Sequence, residues 1–205
     1  MMILALETTA KIASVALLDG ETVLGVLYCD AEIKHAETVL PAIEQLLEQQ
    51  RIGLERIDAF AVDVGPGSFT GVRIGVCIAN ALAYALHKPV MTVDSLRVLC
   101  QTTADQHGEV CALIDARNGN AYAARYGNGI CIEAPKAVIL EPYLRRLPED
   151  IVFVGDVLPV CQPQAYPNAA SLGLAAIACG NGGVGEARPL YLRPAQAERL
   201  AGGRK

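Results

Sequence analysis

A glycine-rich turn offers the first candidate for chemistry in this sequence. It runs from Gly65 to Gly71, between an apolar run at 59–64 that predicts a strand and a run at 69–86 that predicts a helix. Backbone N–H groups at a helix start can bind phosphate, and glycines let the chain approach such a group closely. The turn lacks the lysine of a P-loop and does not complete the spacing G-x-G-x-x-G. A phosphate site and a plain tight turn are therefore both open.

The histidines and cysteines lack the spacing of a metal site. The three histidines show neither H-x-x-x-H nor H-E-x-x-H, and no two of the seven cysteines are spaced C-x-x-C. We therefore expect no protein-made metal site, no cofactor, and free thiols in a reducing compartment. His35 and Glu37 invite an acid–base interpretation. They stand at a predicted helix start, however, where Glu37 complements the helix dipole and His35 can cap the helix.

Composition narrows the class of protein. Hydrophobic residues form 52% of the 205 residues, which is enough for a substantial core. The net charge of −5 argues against a large phosphate-binding surface, so nucleic acid would be contacted through a partner protein. The first residues lack the basic region of a signal peptide, and the apolar run at 74–86 is shorter than the roughly 20 residues of a membrane span. We expect a soluble, cytoplasmic protein with no membrane partner.

Two predicted helices carry faces that could contact a partner. The first, at about 36–50, has its apolar positions on one side. The second, at 69–86, repeats small residues at every fourth position, and this spacing lets another backbone approach closely. The stripe could instead face the chain's own sheet. The residues predicted to contact a partner are Val39, Ile43, Leu46 and Leu47 in the first helix, and Gly71, Val72, Gly75, Ala79 and Ala83 in the second.

The order of predicted elements repeats once along the chain. The order βββαβα is predicted for the first half, where a further strand and helix follow, and again for the second half, beyond a polar stretch at 105–108. This doubled α/β order resembles the actin-like ATPase (ASKHA, ribonuclease H-like) fold. We therefore predict an N-terminal actin-like domain, 1–106, that carries the partner helices. A smaller C-terminal domain, 107–205, completes the fold and ends in a tail.

The resemblance to this fold suggests one more candidate site. In actin-like ATPases, nucleotide lies between the two halves and hairpin turns hold its phosphates. The turn Glu7-Thr8-Thr9 occupies the first of these positions, and its hydroxyls and carboxylate could hold phosphate and metal. Such a turn also follows from hairpin geometry alone. A vestigial phosphate loop and a purely structural turn are both open.

Several stretches are more specific than the fold. The strings GPGSFTGVRIG at 65–75 and KHAETVLP at 34–41, together with 3–9, 115–117 and 191–193, resemble segments of the bacterial TsaB (YeaZ) family. The resemblance covers essentially the whole chain and is strongest to about residue 125. The family-motif residues expected to have structural roles are His35, Glu37, Gly65, Pro66, Gly67, Ser68 and Arg73.

This resemblance implies a non-catalytic subunit of the machinery that forms N6-threonylcarbamoyladenosine at position 37 (t6A37) of tRNAs reading codons that begin with A. There TsaD transfers threonylcarbamoyl from threonylcarbamoyl-AMP, with TsaB and the ATPase TsaE as partners. It implies a heterodimer with TsaD through a four-helix bundle, a homodimer in isolation, and contact with tRNA only through the complex. The positions of the two metal-binding histidines of TsaD are Ser95 and Leu99 here, which predicts that the metal site is lost.

Two functions of other classes are alternatives. An autonomous actin-like ATPase or kinase would bind Mg-ATP by itself, whereas the resemblance predicts weak binding or none. A peptidase would need a Ser–His–Asp, Cys–His or zinc arrangement, and none of these spacings occurs in the sequence.

Overall fold

The computed structural model describes residues 1–29, 35–103, 108–180, 182–183 and 185–193. The first half contains β1 (Met2–Glu7), β2 (Ser14–Asp19), β3 (Thr22–Tyr28), α1 (His35–Gln50), the 3-10 helix Leu54–Arg56, β4 (Ala59–Asp63), α2 (Phe69–Leu86), β5 (Val90–Val93) and α3 (Ser95–Gln101). The second half contains β6 (Glu109–Asp115), β7 (Asn120–Gly127), β8 (Ile130–Ile139), α4 (Leu140–Leu144), β9 (Val152–Gly155), α5 (Ala169–Cys179) and β10 (Gly182–Gly183). The predicted doubled order βββαβα and the actin-like fold are confirmed.

The first sheet has the strand order β10-β5-β4-β1-β2-β3. The three N-terminal strands form an antiparallel meander, and β4 then pairs in parallel with β1 on one side and β5 on the other. Helices cover both faces of this sheet, which explains why β1 is a continuous apolar run. On one face, Leu4 and Leu6 pack in a cluster with α1 and α2, whereas Ile3 and Ala5 pack in a cluster with α5 on the other.

The second sheet has the order β8-β7-β6-β9, and the last helix of each half packs against the other half's sheet. Leu96 and Leu99 of α3 are buried with β6 and β7, while Leu172 and Ala176 of α5 are buried with β1 and β4. This exchange of helices joins the two halves through apolar contacts. The predicted boundary at 105–108 lies largely outside the described residues, which omit 104–107.

The central helix α2 fixes the geometry of the candidate sites. Its 18 residues would suit a membrane span by length and composition alone, yet six of them are buried against the chain's own core. It begins after β4, where the Ser68 side chain accepts a hydrogen bond from Gly71 N. Leu6 pairs with Val62 in the parallel register of β1 and β4, so Glu7 and Asp63 end neighbouring strands at the same edge as the start of α2.

Candidate functional site

Four polar side chains are buried together where β1, β4 and α3 meet. They belong to Glu7, Thr9, Asp63 and Ser95. Thr9 Oγ1 lies 2.6 Å from Glu7 Oε1, 3.3 Å from Asp63 Oδ2 and 3.2 Å from Ser95 Oγ. The Ser95 hydroxyl donates to Asp63 Oδ1 at 2.7 Å. The hydroxyl of Thr9 is thus the centre of a network that joins two carboxyl groups.

Burial and mutual repulsion disfavour ionisation of both carboxyl groups. Burial raises the pKa of Glu7 to about 7, against hydrogen bonds from Thr9 and Ala10 that lower it. Burial and the nearby charge of Glu7 raise the pKa of Asp63 well above its usual value. Glu7 Oε2 is buried and has no hydrogen-bond partner among the described residues. This pair therefore resists carrying two negative charges.

The predicted phosphate loop uses several of its hydrogen-bonding groups within the chain. Thr9 N donates to Glu7 Oε1 at 2.5 Å, and the Thr8 hydroxyl donates to Gly71 O at 2.7 Å. In the glycine-rich turn, Gly65 N donates to Asp63 Oδ1 and Ser68 N donates to Thr9 O. Hydrogen bonds therefore join the turn after β1 to the glycine-rich turn and the start of α2.

A cleft of about 470 Å³ opens above this network between the two halves of the chain. Lys11 and Arg117 bring positive charge to its wall, and Asp156 brings a carboxyl group. Its lining residues are Thr9, Ala10, Lys11, Pro66, Gly67, Ser68, Leu99, Ile114, Arg117, Asp156, Ala165, Tyr166 and Pro167. Of the predicted loop Glu7-Thr8-Thr9, Thr9 reaches this lining, whereas Glu7 and Thr8 lie buried behind it.

The structure corrects the face assigned to the small-residue stripe of α2. All five residues predicted to contact a partner there are buried inside the chain. A Cβ atom added at Gly71 would overlap the carbonyl oxygen of Thr8, and one added at Gly75 would overlap its hydroxyl. The close approach that these glycines allow is made by the loop after β1. The residues whose predicted partner contact is replaced by burial within the chain are Gly71, Val72, Gly75, Ala79 and Ala83.

The apolar face of α1 needs the same correction. Its four predicted partner residues belong to the core between α1, α2 and the sheet. None of them is more than 8% exposed, so they hold the helix onto its own protein instead of presenting it to another. They are Val39, Ile43, Leu46 and Leu47.

A different set of residues forms an exposed apolar groove between α1 and α2, of about 440 Å³. We call it the α1–α2 groove. Its lining residues are Ala36, Leu40, Phe69, Thr70, Arg73, Ile74, Cys77 and Ile78. Leu40 is 46% exposed and Phe69 is 41% exposed, so the groove presents neighbouring large apolar side chains to solvent. Apart from Arg73, the sequence analysis did not single out these residues, although Leu40, Ile74 and Ile78 are apolar positions that flank the buried face of each helix.

The family-motif residues lie mainly in the turn before α2 and at the starts of α1 and α2. Gly65 has φ +98°, which favours glycine, and Ser68 caps the helix. Glu37 lies exposed in the first turn of α1. The side chain of His35 lies outside the described residues. At the two positions proposed to have lost metal ligands, Ser95 donates to Asp63 and Leu99 is buried in the core.

A C-terminal segment at 185–193 runs beside α2, from Asn80 to Phe69 at the start of the helix. Asn80 Oδ1 accepts a hydrogen bond from Ala187 N, Asn80 Nδ2 donates to Ala187 O, and Leu190 N donates to Val64 O. Beyond these bonds Tyr191 meets Phe69, with ring centroids 5.2 Å apart. The segment thereby reaches the rim of the α1–α2 groove.

Known proteins resemble this chain in sequence and in structure. The family model for TsaD, described as tRNA N6-adenosine threonylcarbamoyltransferase, matches residues 16–139. The tRNA threonylcarbamoyladenosine biosynthesis protein TsaB of Bacillus subtilis is 32% identical over 76% of this chain and 71% of its own length. The TsaB protein of Escherichia coli is 38% identical over 69% of this chain and 63% of its own length. The solved structure of YeaZ from Pseudomonas aeruginosa superimposes with a TM-score of 0.77 and 31% identity, covering 93% of this chain and 99% of that one.

Proposed function

This chain belongs to the TsaB (YeaZ) family, whose members take part in the formation of threonylcarbamoyladenosine in tRNA. We propose that it acts in this modification as a non-catalytic subunit. Its role is to bind a TsaD protein and hold it in the arrangement that transfers threonylcarbamoyl from threonylcarbamoyl-AMP to adenosine 37. TsaE completes the assembly, tRNA is contacted through the complex, and the site of action is the cytoplasm.

The α1–α2 groove is the observation that carries this proposal. It combines exposed apolar side chains from two neighbouring helices with a floor fixed by the chain's own core. Two helices of a partner laid along α1 and α2 would bury these side chains and complete a four-helix bundle. A stable contact of this kind buries at least about 1,000 Å² in total. In the absence of TsaD, the same surface serves a homodimer.

The non-catalytic role is supported by the chemistry of the polar network. No cluster of three or more histidine, cysteine or acidic side chains could hold a metal ion among the residues that the structure describes. The Thr8 and Thr9 groups that could hold phosphate are hydrogen-bonded within the chain. Titration calorimetry of the lone chain with Mg-ATP is expected to give weak or no heat of binding. Tight binding would favour an autonomous ATPase or kinase instead.

Reconstitution tests the proposal directly. The chain, TsaD and TsaE of the same organism are purified together, and tRNA modification is assayed with and without this chain. Leu40→Asp and Ile74→Asp place a charge in the α1–α2 groove and should abolish co-purification with TsaD and stimulation of modification. Ile139→Asp is the control, because Ile139 is 66% exposed on β8 of the other sheet. Undiminished modification without this chain, or with both groove variants, would refute the proposal.

A further inference from the structure

The α1–α2 groove contains one charged lining residue, Arg73, and the structure holds its guanidinium group on two sides. The guanidinium carbon lies 3.9 Å from the centroid of the Phe69 ring. Arg73 Nε donates to the hydroxyl of Tyr191 at 2.9 Å, and the guanidinium carbon is 5.9 Å from the centroid of the Tyr191 ring. Tyr191 belongs to the C-terminal segment, so two distant parts of the chain fix this one cation at the groove.

The described residues satisfy only a small part of the hydrogen-bonding capacity of Arg73. A guanidinium group has five N–H donors, and Nε supplies only one of them. Nη1 and Nη2 make no hydrogen bond within residues 1–29, 35–103, 108–180, 182–183 and 185–193, and no ion pair of those residues includes Arg73. The other seven lining residues carry no charge. Among the described residues, the terminal nitrogens of Arg73 therefore have no acceptor, and the groove around them is apolar.

A purely apolar partner would not suit this surface. Covering the groove would take the four remaining N–H groups out of water, and donors buried without acceptors are costly, most of all on a charged group. A carboxylate accepts two parallel hydrogen bonds from a guanidinium group, and such a bidentate pair is among the strongest polar contacts in proteins. Charge and geometry thus select an acidic side chain on the partner.

We propose that Arg73 is the specificity-determining residue of the groove, and that the helix docked there presents a carboxylate to it within an otherwise apolar face. The inference rests on the proposed function and names the chemistry of the same contact. Tyr191 is a positioning residue, because its hydroxyl holds Nε and so turns the free terminal nitrogens toward the partner. A second copy brings no acidic residue of the groove lining to Arg73, so a homodimer leaves this cation without a lining carboxylate, and the preferred occupant is the different protein, TsaD.

Affinity measurements with purified TsaD test the role of the charge. Arg73→Gln should weaken binding by at least about tenfold and reduce its dependence on salt, since it removes one partner of a desolvated charge pair. Arg73→Lys should recover only part of the loss, because lysine lacks the planar fork. Arg56→Gln, which removes one exposed charge outside the groove, should bind like the parent chain.

The outcomes separate this inference from the proposed function. If Leu40→Asp abolishes binding while Arg73→Gln binds like the parent chain, the contact exists and the inference is wrong. If the parent chain does not bind TsaD, the proposed function fails and takes the inference with it. If Arg73→Gln weakens only self-association, measured by sedimentation equilibrium, the carboxylate belongs to a second copy and the inference is overturned.

A charge exchange gives a readout that misfolding cannot imitate. Arg73→Glu should abolish binding, and replacing the facing acidic residue of TsaD with arginine should restore it. Tyr191→Phe keeps the ring but removes the hydroxyl that accepts from Arg73 Nε. It should weaken binding several-fold, because the guanidinium group is no longer held in one orientation before binding. Thermal stability should change little, because the lost hydrogen bond joins two exposed side chains. Failure of every arginine exchange on TsaD to rescue Arg73→Glu would contradict the pairing.

Discussion

Glu7 and Asp63 share a single hydroxyl group, because Thr9 Oγ1 lies 2.6 Å from Glu7 Oε1 and 3.3 Å from Asp63 Oδ2. A hydroxyl has one hydrogen and can donate to only one of the two carboxyl groups. Ser95 and the backbone of Gly65 already donate to the other oxygen of Asp63. A proton on one carboxyl group supplies the donor that the network otherwise lacks, in keeping with the raised pKa values of both groups.

The first prediction concerns the effect of pH on stability. The pKa of Glu7 is raised to about 7 and that of Asp63 is raised as well, so the folded chain holds protons that the unfolded chain releases near pH 4 to 5. The stabilisation is present below the unfolded pKa values and is lost as pH rises through the folded ones. The free energy of unfolding should therefore fall between about pH 5 and 8, by up to about 1.4 kcal/mol per pH unit for one proton. Urea denaturation across this range measures it.

Glu7→Gln isolates the contribution of the pair. Glutamine keeps the shape of the side chain and cannot ionise, so the decline in stability with pH should become shallower, and the variant should gain on the parent chain above pH 7. Burial also raises the pKa values of Asp94 and Asp156, which leaves a smaller residual slope in the same direction. If the free energy of unfolding depended on pH in the same way in both proteins, the network would not be protonated.

The second prediction concerns the contact between α2 and the loop after β1. Gly71→Ala should destabilise the fold by about 3 kcal/mol, because the added methyl group would meet the backbone oxygen of Thr8 and neither chain segment can move freely. Gly185→Ala is the matched control, since its methyl group would meet no atom of the described structure and should change stability by less than about 0.5 kcal/mol. Equal melting temperatures for the two variants would contradict the close packing seen here.

The sequence predicts the elements of this fold better than the surfaces they bury. The predicted range of α2, 69–86, agrees with the structure because local signals mark both ends: Ser68 caps its start and His87 ends it in a left-handed conformation. Helix α5 carries the same kind of local signal, because it begins at Ala169, where Asn168 accepts from Ser171 N. A cap depends only on residues close together in the chain, so the ends of these helices can be predicted from the sequence.

What the sequence could not predict is which protein covers each helix face. Periodicity places Gly71 and Gly75 on one side of α2, but it does not distinguish the loop after β1 from a partner's helix. Ile74 and Cys77, outside the buried set, are also apolar, so α2 has no continuous polar face to show which side is buried. The pairing of Glu7 with Asp63 depends on strand register between residues far apart in the chain, which no local pattern determines.

The third prediction concerns the attachment of the C-terminal segment. Asn80→Ala removes both hydrogen bonds to Ala187 and should lower the free energy of local opening by about 1–2 kcal/mol. Hydrogen exchange of the Ala187 and Leu190 amides measures this opening, and their protection should fall together. Asn80→Asp keeps the acceptor for Ala187 N but sets a carboxylate oxygen against Ala187 O, so it should also lower the protection of the segment. Unchanged protection in Asn80→Ala would mean that other contacts hold the segment.

The fourth prediction uses the cysteines as probes of the α1–α2 groove. Cys77 lines the groove and Cys131 lies exposed on β8, whereas Cys29, Cys111 and Cys161 are buried. Burial raises the pKa of Cys111 to about 12 and that of Cys161 to about 11, so neither forms thiolate near neutral pH. A maleimide at pH 7 should therefore modify Cys77 and Cys131 in the native protein and spare the buried three.

Binding of TsaD should slow the labelling of Cys77 at least about tenfold, because a partner helix that covers Leu40 and Ile74 also covers the Cys77 thiol in the same groove. Cys131 is the control within the same molecule. Burial raises its pKa too, so each cysteine is compared with its own rate in the free chain. Mass spectrometry of the digested complex reads both rates at once. Protection of Cys131 without protection of Cys77 would place TsaD on the second sheet, since only a partner seated between α1 and α2 shields the groove thiol and leaves β8 open.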